Sequence, residues 1–127
     1  MRAFIVDDSA IVRMRLAELL VADADVTVVG QAGTVAAALH EIPQLQPECV
    51  LLDIQLPDGD GISVLKAVKR MTPSPAVVMF TNYTDDYYRQ RCEIAGADFF
   101  LDKSKQFDQI PGLLRRLMHT KVEDRRG

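Results

Sequence analysis

Short apolar segments alternate along the chain with longer stretches in which apolar residues recur every three or four positions. The apolar segments comprise residues 3–6, 26–29, 49–52, 76–80 and 98–101. Most are continuously apolar, which is typical of strands that are covered on both faces. Five strands that alternate with helices in this way predict an α/β domain with a central parallel five-stranded sheet and helices on both of its sides.

Each helical stretch has an apolar face suited to packing on such a sheet. Residues on these faces are Val12, Leu16, Leu19 and Leu20 in the first stretch, Val35, Leu39 and Ile42 in the second, Ile62, Leu65 and Val68 in the third, Tyr88, Cys92 and Ala95 in the fourth, and Phe107, Ile110, Leu113, Leu114, Leu117 and Met118 in the last. Residues that favour the ends of elements agree with this division: Asp8 or Ser9, Thr34 and Asp85 as N-caps, Gly96 as a helix end, and Pro43, Pro47, Pro73 and Pro75 as breaks before strands.

Composition and charge narrow the class of protein. The 127 residues suffice for one domain with a buried core. Fifteen Lys and Arg against eighteen Asp and Glu give a net charge of −3, so no direct nucleic-acid binding is expected. The two cysteines are too few for a disulfide framework, the opening residues lack the pattern of a signal peptide, and no apolar run approaches a membrane span. We therefore expect a cytoplasmic protein without membrane insertion.

Five polar residues follow the predicted strands at the point where each strand ends. Asp7 and Asp8 follow the first strand, Asp53 the third, Thr81 the fourth and Lys103 the fifth. Open parallel sheets bind ligands at these carboxyl ends. Three carboxylates in one crevice repel each other unless a cation neutralises them, and Mg²⁺ prefers such hard oxygen ligands. The pattern predicts a magnesium site.

The two remaining residues indicate phosphoryl chemistry at that site. The Lys103 ammonium, the Thr81 hydroxyl and the metal could share the three equatorial oxygens of a phosphoryl group. The Asp53 carboxylate would then be the nucleophile and would become an acyl phosphate. Because an acyl phosphate hydrolyses, its formation is suited to a timed signal.

Over residues 1–120 the chain resembles the receiver domain of bacterial two-component response regulators, with residues 121–127 as a charged tail. The resemblance rests on Asp7-Asp8, Leu51-Leu52-Asp53, Pro57, Gly61, Thr81 and Lys103 in this order. It implies a flavodoxin-like (βα)5 three-layer sandwich with strand order 2-1-3-4-5. We expect no output domain in this chain.

The resemblance also implies roles for single residues. Asp53 would accept the phosphoryl group from a histidine kinase or a histidine phosphotransfer protein. Asp8, Asp53 and the main-chain carbonyl of Gln55 would bind Mg²⁺, with Asp7 acting mostly through water. The domain would assist its own phosphorylation and dephosphorylation rather than act as an enzyme on other substrates. Thr81 would move towards the phosphoryl group as part of a switch.

The output of that switch would be a protein-binding surface. The resemblance places it on the face formed by the fourth helix, the fifth strand and the fifth helix. A downstream protein would bind there, and a phosphorylation-dependent homodimer is one form that this output can take. Acting as an intermediate in a phosphorelay is another.

Several positions depart from the usual receiver pattern. Ser104 stands where a proline with a cis peptide bond usually follows the lysine, so we expect a trans Lys103–Ser104 bond and a shifted loop. Phe100 replaces a switch tyrosine and keeps the ring without the hydroxyl. Asn82 replaces a small residue after Thr81, and with Gln55 and Tyr83 at the rim of the site it is predicted to tune the dephosphorylation rate.

Other functional classes fit less well. A phosphatase of the haloacid dehalogenase type needs a second acid two residues after its nucleophile, where this chain has Gln55. A flavodoxin-like carrier needs a phosphate-binding loop after the first strand, where this chain has Asp7 and Asp8. A receiver-like interaction module that works without phosphate remains open as the alternative, because Ser104 and Asn82 depart from the pattern.

Overall fold

The fold is described from a computed structural model, which covers residues 1–23 and 25–126, with side chains described at 1–22 and 25–119. The strands are Arg2–Val6 (β1), Thr27–Ala32 (β2), Cys49–Leu52 (β3), Gln55–Leu56 (β4), Gly59–Asp60 (β5), Ala76–Thr81 (β6) and Phe99–Asp102 (β7). The α-helices are Ala10–Asp23 (α1), Val35–Leu45 (α2), Gly61–Lys69 (α3), Asp86–Ile94 (α4) and Ile110–Arg126 (α5), with a 3₁₀ turn at Phe107–Gln109 before α5.

Five strands form one parallel sheet in the order β2-β1-β3-β6-β7. Because β6 and β7 are the fourth and fifth predicted strands, the predicted order 2-1-3-4-5 and the flavodoxin-like fold are confirmed. The chain runs outwards from β1 to β2 and then crosses back to β3. The strand order therefore reverses between β1 and β3, which is where open α/β sheets bind their ligands.

Successive residues of each strand point to opposite faces of the sheet and divide the core into two layers. In β1, Phe4 and Val6 pack with buried residues of α2, α3 and α4. Ala3 and Ile5 pack with buried residues of α1 and α5 on the other face. This is the predicted three-layer sandwich, and it explains why the strands are continuously apolar.

The predicted helix N-caps are confirmed, and at α1 the cap is Ser9. In each case a side-chain oxygen accepts a hydrogen bond from a backbone N–H of the first turn, which has no partner within the helix. The pairs are Val12 N to Ser9 Oγ at 3.2 Å, Ala37 N to Thr34 Oγ1 at 3.1 Å, and Tyr88 N to Asp85 Oδ1 at 3.1 Å. Gly96 lies just after α4 with φ +99°, a conformation that glycine adopts without strain.

Two expectations for α2 are wrong. Pro43 does not break the chain before β3 but lies inside α2, which continues to Leu45. A proline near a helix end removes one hydrogen bond, and the remaining bonds carry the helix past it. Leu39 is 41% exposed, whereas Ala38 is fully buried, because residues 38 and 42 form the face that meets the sheet.

A short hairpin follows β3. Its strands β4 and β5 pair antiparallel, with Gln55 opposite Asp60. The Asp60 side chain also caps α3, since its Oδ1 accepts a hydrogen bond from Ile62 N at 2.7 Å. The hairpin therefore connects the end of β3 directly to the start of α3.

At the C-terminal end, α5 is assigned to Ile110–Arg126. The predicted charged tail at 121–127 has side chains outside the described residues, so its boundary stays a prediction. In the part of the chain that the structure describes, no helix combines the length and the apolar character needed to cross a bilayer.

Candidate functional site

Backbone hydrogen bonds extend the sheet by one residue past its strand ends and fix the starting point of the polar side chains. Asp7 N donates to the last carbonyl of β2, and Asp53 N donates to the last carbonyl of β1, both at 3.0 Å. Lys103 N donates to Thr81 O at 2.9 Å. These residues therefore leave the sheet at one edge, beside the reversal of strand order.

The Lys103 amine joins two carboxylates that are far apart in sequence. Lys103 Nζ donates to Asp7 Oδ2 at 2.5 Å and to Asp53 Oδ2 at 2.6 Å. Both acids are buried, with relative exposures of 1% for Asp7 and 6% for Asp53. Buried charges of this kind are retained only when they are paired and hydrogen-bonded.

Each of the two carboxylates has its second oxygen bonded to a backbone amide. Asp7 Oδ1 accepts a hydrogen bond from Ser9 N at 2.9 Å, and Asp53 Oδ1 accepts one from Ile54 N at 2.7 Å. Both side chains are therefore held from two sides. Such fixed orientation is what a reacting carboxylate needs.

The charges at this edge do not balance. Burial raises the pKa of the Asp7 carboxyl above its ordinary value, and the hydrogen bond from Lys103 only partly offsets this effect. Burial lowers the pKa of the Lys103 amine, but its hydrogen bonds to Asp53 and Asp7 and the negative charges of these carboxylates together raise it above its ordinary value. One ammonium thus contacts two carboxylates, and the Asp8 carboxylate lies close to both, so these acids form a cluster suited to a further cation.

The donor set fits a magnesium ion. Asp7, Asp8 and Asp53 each offer a carboxylate oxygen, and these oxygens lie within 4.8 Å of one another. Mg²⁺ binds oxygens at about 2.0–2.1 Å, so its opposite ligands are roughly 4 Å apart. Asp8 is exposed, which leaves room for the water ligands that Mg²⁺ keeps.

The acids lie in an open cleft of about 370 Å³ that holds most of the predicted site residues. Its lining includes Asp7, Asp8, Asp53 and Lys103, together with Gln55, Asn82 and Tyr83 on the rim. The structure thus brings together seven of the nine residues predicted for the site. Their roles as ligands or as rate-tuning residues stay predictions.

The two predicted switch residues lie apart from the cleft lining. Thr81 is fully buried at the end of β6, and its Oγ1 accepts a hydrogen bond from Tyr83 N at 3.1 Å. Phe100 is half-buried on β7, with the Arg89 guanidinium 4.6 Å above its ring centre. Arg89 also donates from Nε to Thr84 O at 2.9 Å, so it links the loop after Thr81 to Phe100.

Gly61 allows the chain to pass directly behind Asp53. A Cβ at Gly61 would lie 1.9 Å from the Asp53 carbonyl oxygen, so any larger residue would displace the backbone. Gly61 N also donates to Ile54 O at 2.5 Å. The sequence matched this glycine to the receiver pattern but gave it no role, because a close approach of two backbones leaves no pattern in a single sequence.

The loop after Lys103 agrees with the predicted trans peptide. Among the described residues, the cis peptide bond is Thr72–Pro73, and the Lys103–Ser104 bond is trans. Ser104 N and Ser104 Oγ both donate to Asp102 Oδ1, at 2.9 and 2.7 Å. Sequence reasoning missed this contribution of Asp102, although an acid two residues before a serine in a turn is a usable signal.

Comparison with known protein families gives a match over most of the chain. A family model described as the response regulator receiver domain matches residues 3–115. The DNA-binding transcriptional activator DevR/DosR of Mycobacterium tuberculosis is 37% identical over 102 residues, 80% of this chain and 47% of that protein. The sensory transduction protein LytT of Bacillus cereus is 37% identical over 109 residues, 86% of this chain and 43% of that protein. The chain thus spans less than half the length of these two relatives.

Solved structures show the same fold. The response regulator domain of Thermotoga maritima CheB has a TM-score of 0.80 and 28% identity, with 94% of each chain covered. The response regulatory domain of protein mrkE from Klebsiella pneumoniae has a TM-score of 0.87 and 20% identity, covering 97% of this chain and 99% of that one. The second comparison, at low identity, concerns the fold alone.

Proposed function

The chain belongs to the response regulator receiver domain family, and on this basis we propose that Asp53 accepts a phosphoryl group in a Mg²⁺-dependent reaction and thereby switches a protein-binding surface. The donor would be a histidine kinase or a histidine phosphotransfer protein. The observation that carries the proposal is the contact of Lys103 Nζ with both Asp53 and Asp7 in an open acidic cleft.

In the proposed reaction, an oxygen of the Asp53 carboxylate forms a bond to phosphorus. The bond from phosphorus to the donor imidazole breaks, and the imidazole leaves with the bonding electron pair and is then protonated by water. Lys103 stands beside the carboxylate and would hold an oxygen of the transferred group. Mg²⁺ bound by Asp8, Asp53 and the Gln55 carbonyl, with Asp7 acting through water, would supply the further positive charge that phosphoryl transfer needs.

The switch that we propose starts at Thr81. Its hydroxyl would exchange the Tyr83 amide for an oxygen of the phosphoryl group, which would draw the loop after β6 towards the cleft. Because Arg89 links that loop to Phe100, the movement would reach β7. A phosphoryl group would therefore shift the population of two arrangements of this region.

The face formed by α4, β7 and α5 is the proposed output surface. On this face Phe99 of β7 is 36% exposed, and the Arg89 guanidinium of α4 lies over the Phe100 ring. Aromatic residues and arginine are enriched in protein interfaces. The partner would be a downstream protein or a second copy of the chain rather than nucleic acid.

Three exposed residues on the rim of the cleft would set the lifetime of the acyl phosphate. Gln55, Asn82 and Tyr83 all line the opening through which water must reach the phosphorus. We propose that they tune dephosphorylation by occupying this path. Under this proposal the chain assists its own phosphorylation and dephosphorylation and does not act as an enzyme on other substrates.

The test is to incubate the chain with acetyl phosphate and Mg²⁺ and to measure its intact mass. The native chain should gain one phosphoryl group, and omission of Mg²⁺ should abolish the gain. Asp53→Asn should gain none, because an amide oxygen is too weak a nucleophile. Asp86→Asn, which changes an exposed acid at the start of α4, is the matched control and should behave like the native chain.

A second pair of variants tests the amine. Lys103→Met should lose most of the phosphoryl gain, whereas Lys105→Gln, an exposed neighbour, should keep it. If the native chain gains no phosphoryl group from acetyl phosphate or from a phosphohistidine donor, and does not respond to beryllofluoride, the proposal fails. The phosphate-independent interaction module would then be the better description.

A further inference from the structure

The segment that carries Lys103 has no regular secondary structure, yet each backbone amide from residue 102 to residue 106 donates a hydrogen bond. Residues 103–105 form a turn between β7 and the 3₁₀ turn at Phe107–Gln109. Lys105 N and Gln106 N both donate to Asp102 O, at 3.2 and 2.8 Å. With the bond from Lys103 N to the β6 carbonyl, three of its amides are bonded to backbone oxygens.

Side chains of the turn itself satisfy the other two amides. Ser104 N donates to Asp102 Oδ1 at 2.9 Å, and Asp102 N donates to Gln106 Oε1 at 2.7 Å. Ser104 Oγ adds a second hydrogen bond to the same carboxylate oxygen at 2.7 Å. Short polar side chains of this kind stabilise turns by replacing backbone partners.

This arrangement matters for Lys103 because a lysine side chain is long and flexible. Its amine reaches two carboxylates at 2.5 and 2.6 Å only while its Cα stays in place. Ser104 is exposed, so burial does not force this geometry on the turn. The bond from Lys103 N to Thr81 O holds the residue to the sheet, and the hydrogen bonds from Ser104 to Asp102 constrain the chain that follows it.

We propose that Asp102, with Ser104 as its donor, is a positioning residue that holds the Lys103 amine against the two buried carboxylates. The inference rests on the proposed function in so far as it concerns the rate of phosphoryl transfer. The position of the amine itself can be measured without any phosphoryl donor. Hydrogen bonds from Ser104 also lower the pKa of the Asp102 carboxyl, because they favour its charged, accepting form.

The first experiment measures the protection of the Lys103 amine. Native chain and variants are labelled briefly with acetic anhydride, and acetylation at Lys103 and at Lys105 is mapped by mass spectrometry. Asp102→Ala should raise the labelling of Lys103 relative to Lys105, because the amine leaves its carboxylate partners. Asp102→Asn keeps the accepting Oδ1 and should restore protection, and Asp108→Ala is the matched control for loss of a nearby exposed acid.

The second experiment measures phosphorylation by acetyl phosphate. Asp102→Ala should slow it on the order of 10- to 100-fold, as expected when a reacting group is misplaced by about 1 Å. The Mg²⁺ affinity measured by calorimetry should not fall, since Asp102 lies outside the acidic cluster and a displaced Lys103 amine leaves that cluster more negative. Ser104→Ala loses only the Oγ bond and should show a smaller effect in the same direction.

A double-mutant cycle separates positioning from a general loss of structure. In a Lys103→Met background, Asp102→Ala should cause no further loss of phosphorylation, because the amine that it positions is absent. Equal losses in both backgrounds would overturn the inference, and so would native-like protection of Lys103 in Asp102→Ala and Ser104→Ala. If the native chain takes up no phosphoryl group, the proposed function fails, while the labelling experiment still decides the inference.

Discussion

Gly61→Ala is the substitution for which the structure gives the sharpest expectation. The added methyl carbon would lie 1.9 Å from the Asp53 carbonyl oxygen, 3.0 Å from its carbonyl carbon and 3.1 Å from Ile54 Cα. Moving the oxygen contact out to 3.0 Å requires a displacement of about 1.1 Å. All three atoms belong to the backbone, so no side-chain rotation can relieve the contact.

The displacement should reduce both the stability of the fold and the rate of phosphorylation. Overpacking of a well-packed site costs about 1–3 kcal/mol, and a rigid backbone acceptor places Gly61→Ala at the upper end, about 3 kcal/mol. For a domain of this size, that loss lowers the melting temperature by roughly 10 °C. Displacing the nucleophile-bearing Asp53 by about 1 Å should also slow its phosphorylation on the order of 100-fold.

Urea unfolding and the intact-mass assay with acetyl phosphate measure the two effects. Gly112→Ala is the matched control, because a methyl group there meets only the far end of Arg115, at 3.9 Å. Within a helix this control should be neutral or stabilising by up to about 1 kcal/mol. A Gly61→Ala protein with the native urea midpoint and the native phosphorylation rate would refute the steric reasoning.

Three further outcomes are expected. Asp58→Ala should lower stability at neutral pH because the Asp58 carboxylate accepts the two backbone N–H groups of Ala36 and Val35. These bonds lower the pKa of the Asp58 carboxyl. The stability difference between the native chain and the variant should therefore be present above pH 3.8 and disappear as the pH falls through the lower pKa of the folded state. Urea unfolding at several pH values would detect this change. The two buried cysteines should not react with a disulfide reagent until the chain unfolds, since burial raises the pKa of the α4 cysteine to about 11; rapid labelling of the folded chain would contradict this. Arg89→Ala should cost about 0.5–1 kcal/mol by removing the guanidinium from the Phe100 ring, and an unchanged urea midpoint would exclude that contribution.

Much of the fold could be predicted because its signals are local. A continuous apolar run marks each buried strand, and a capping side chain marks the start of a helix, whatever the rest of the chain does. β3 matches its prediction at both ends. β2 extends to Ala32 instead of stopping at residue 29, because pairing with β1 draws Gly30 and the residues after it into the sheet.

Gly30 illustrates a choice made by tertiary contacts. Glycine is a poor strand former, yet here a Cβ would lie 2.7 Å from the Phe4 ring and 2.9 Å from Leu45. The space above Gly30 is therefore filled by residues from two other elements. Pro43 inside α2 and the exposed Leu39 are similar cases, in which packing on the sheet overrode the local preference.

The sequence by itself determined which polar residues stand at the strand ends, and parallel strands bring all carboxyl ends to one edge. Only the tertiary structure decided that Lys103 bonds to Asp53, a residue 50 positions away, and to Asp7, 96 positions away. It also decided that the Thr81 hydroxyl accepts a hydrogen bond from the Tyr83 amide and that Asp102 accepts one from the Ser104 amide in the turn after β7. The reason is physical: strands and caps depend on neighbours along the chain, whereas side-chain partners depend on distances that exist only after the sheet has formed.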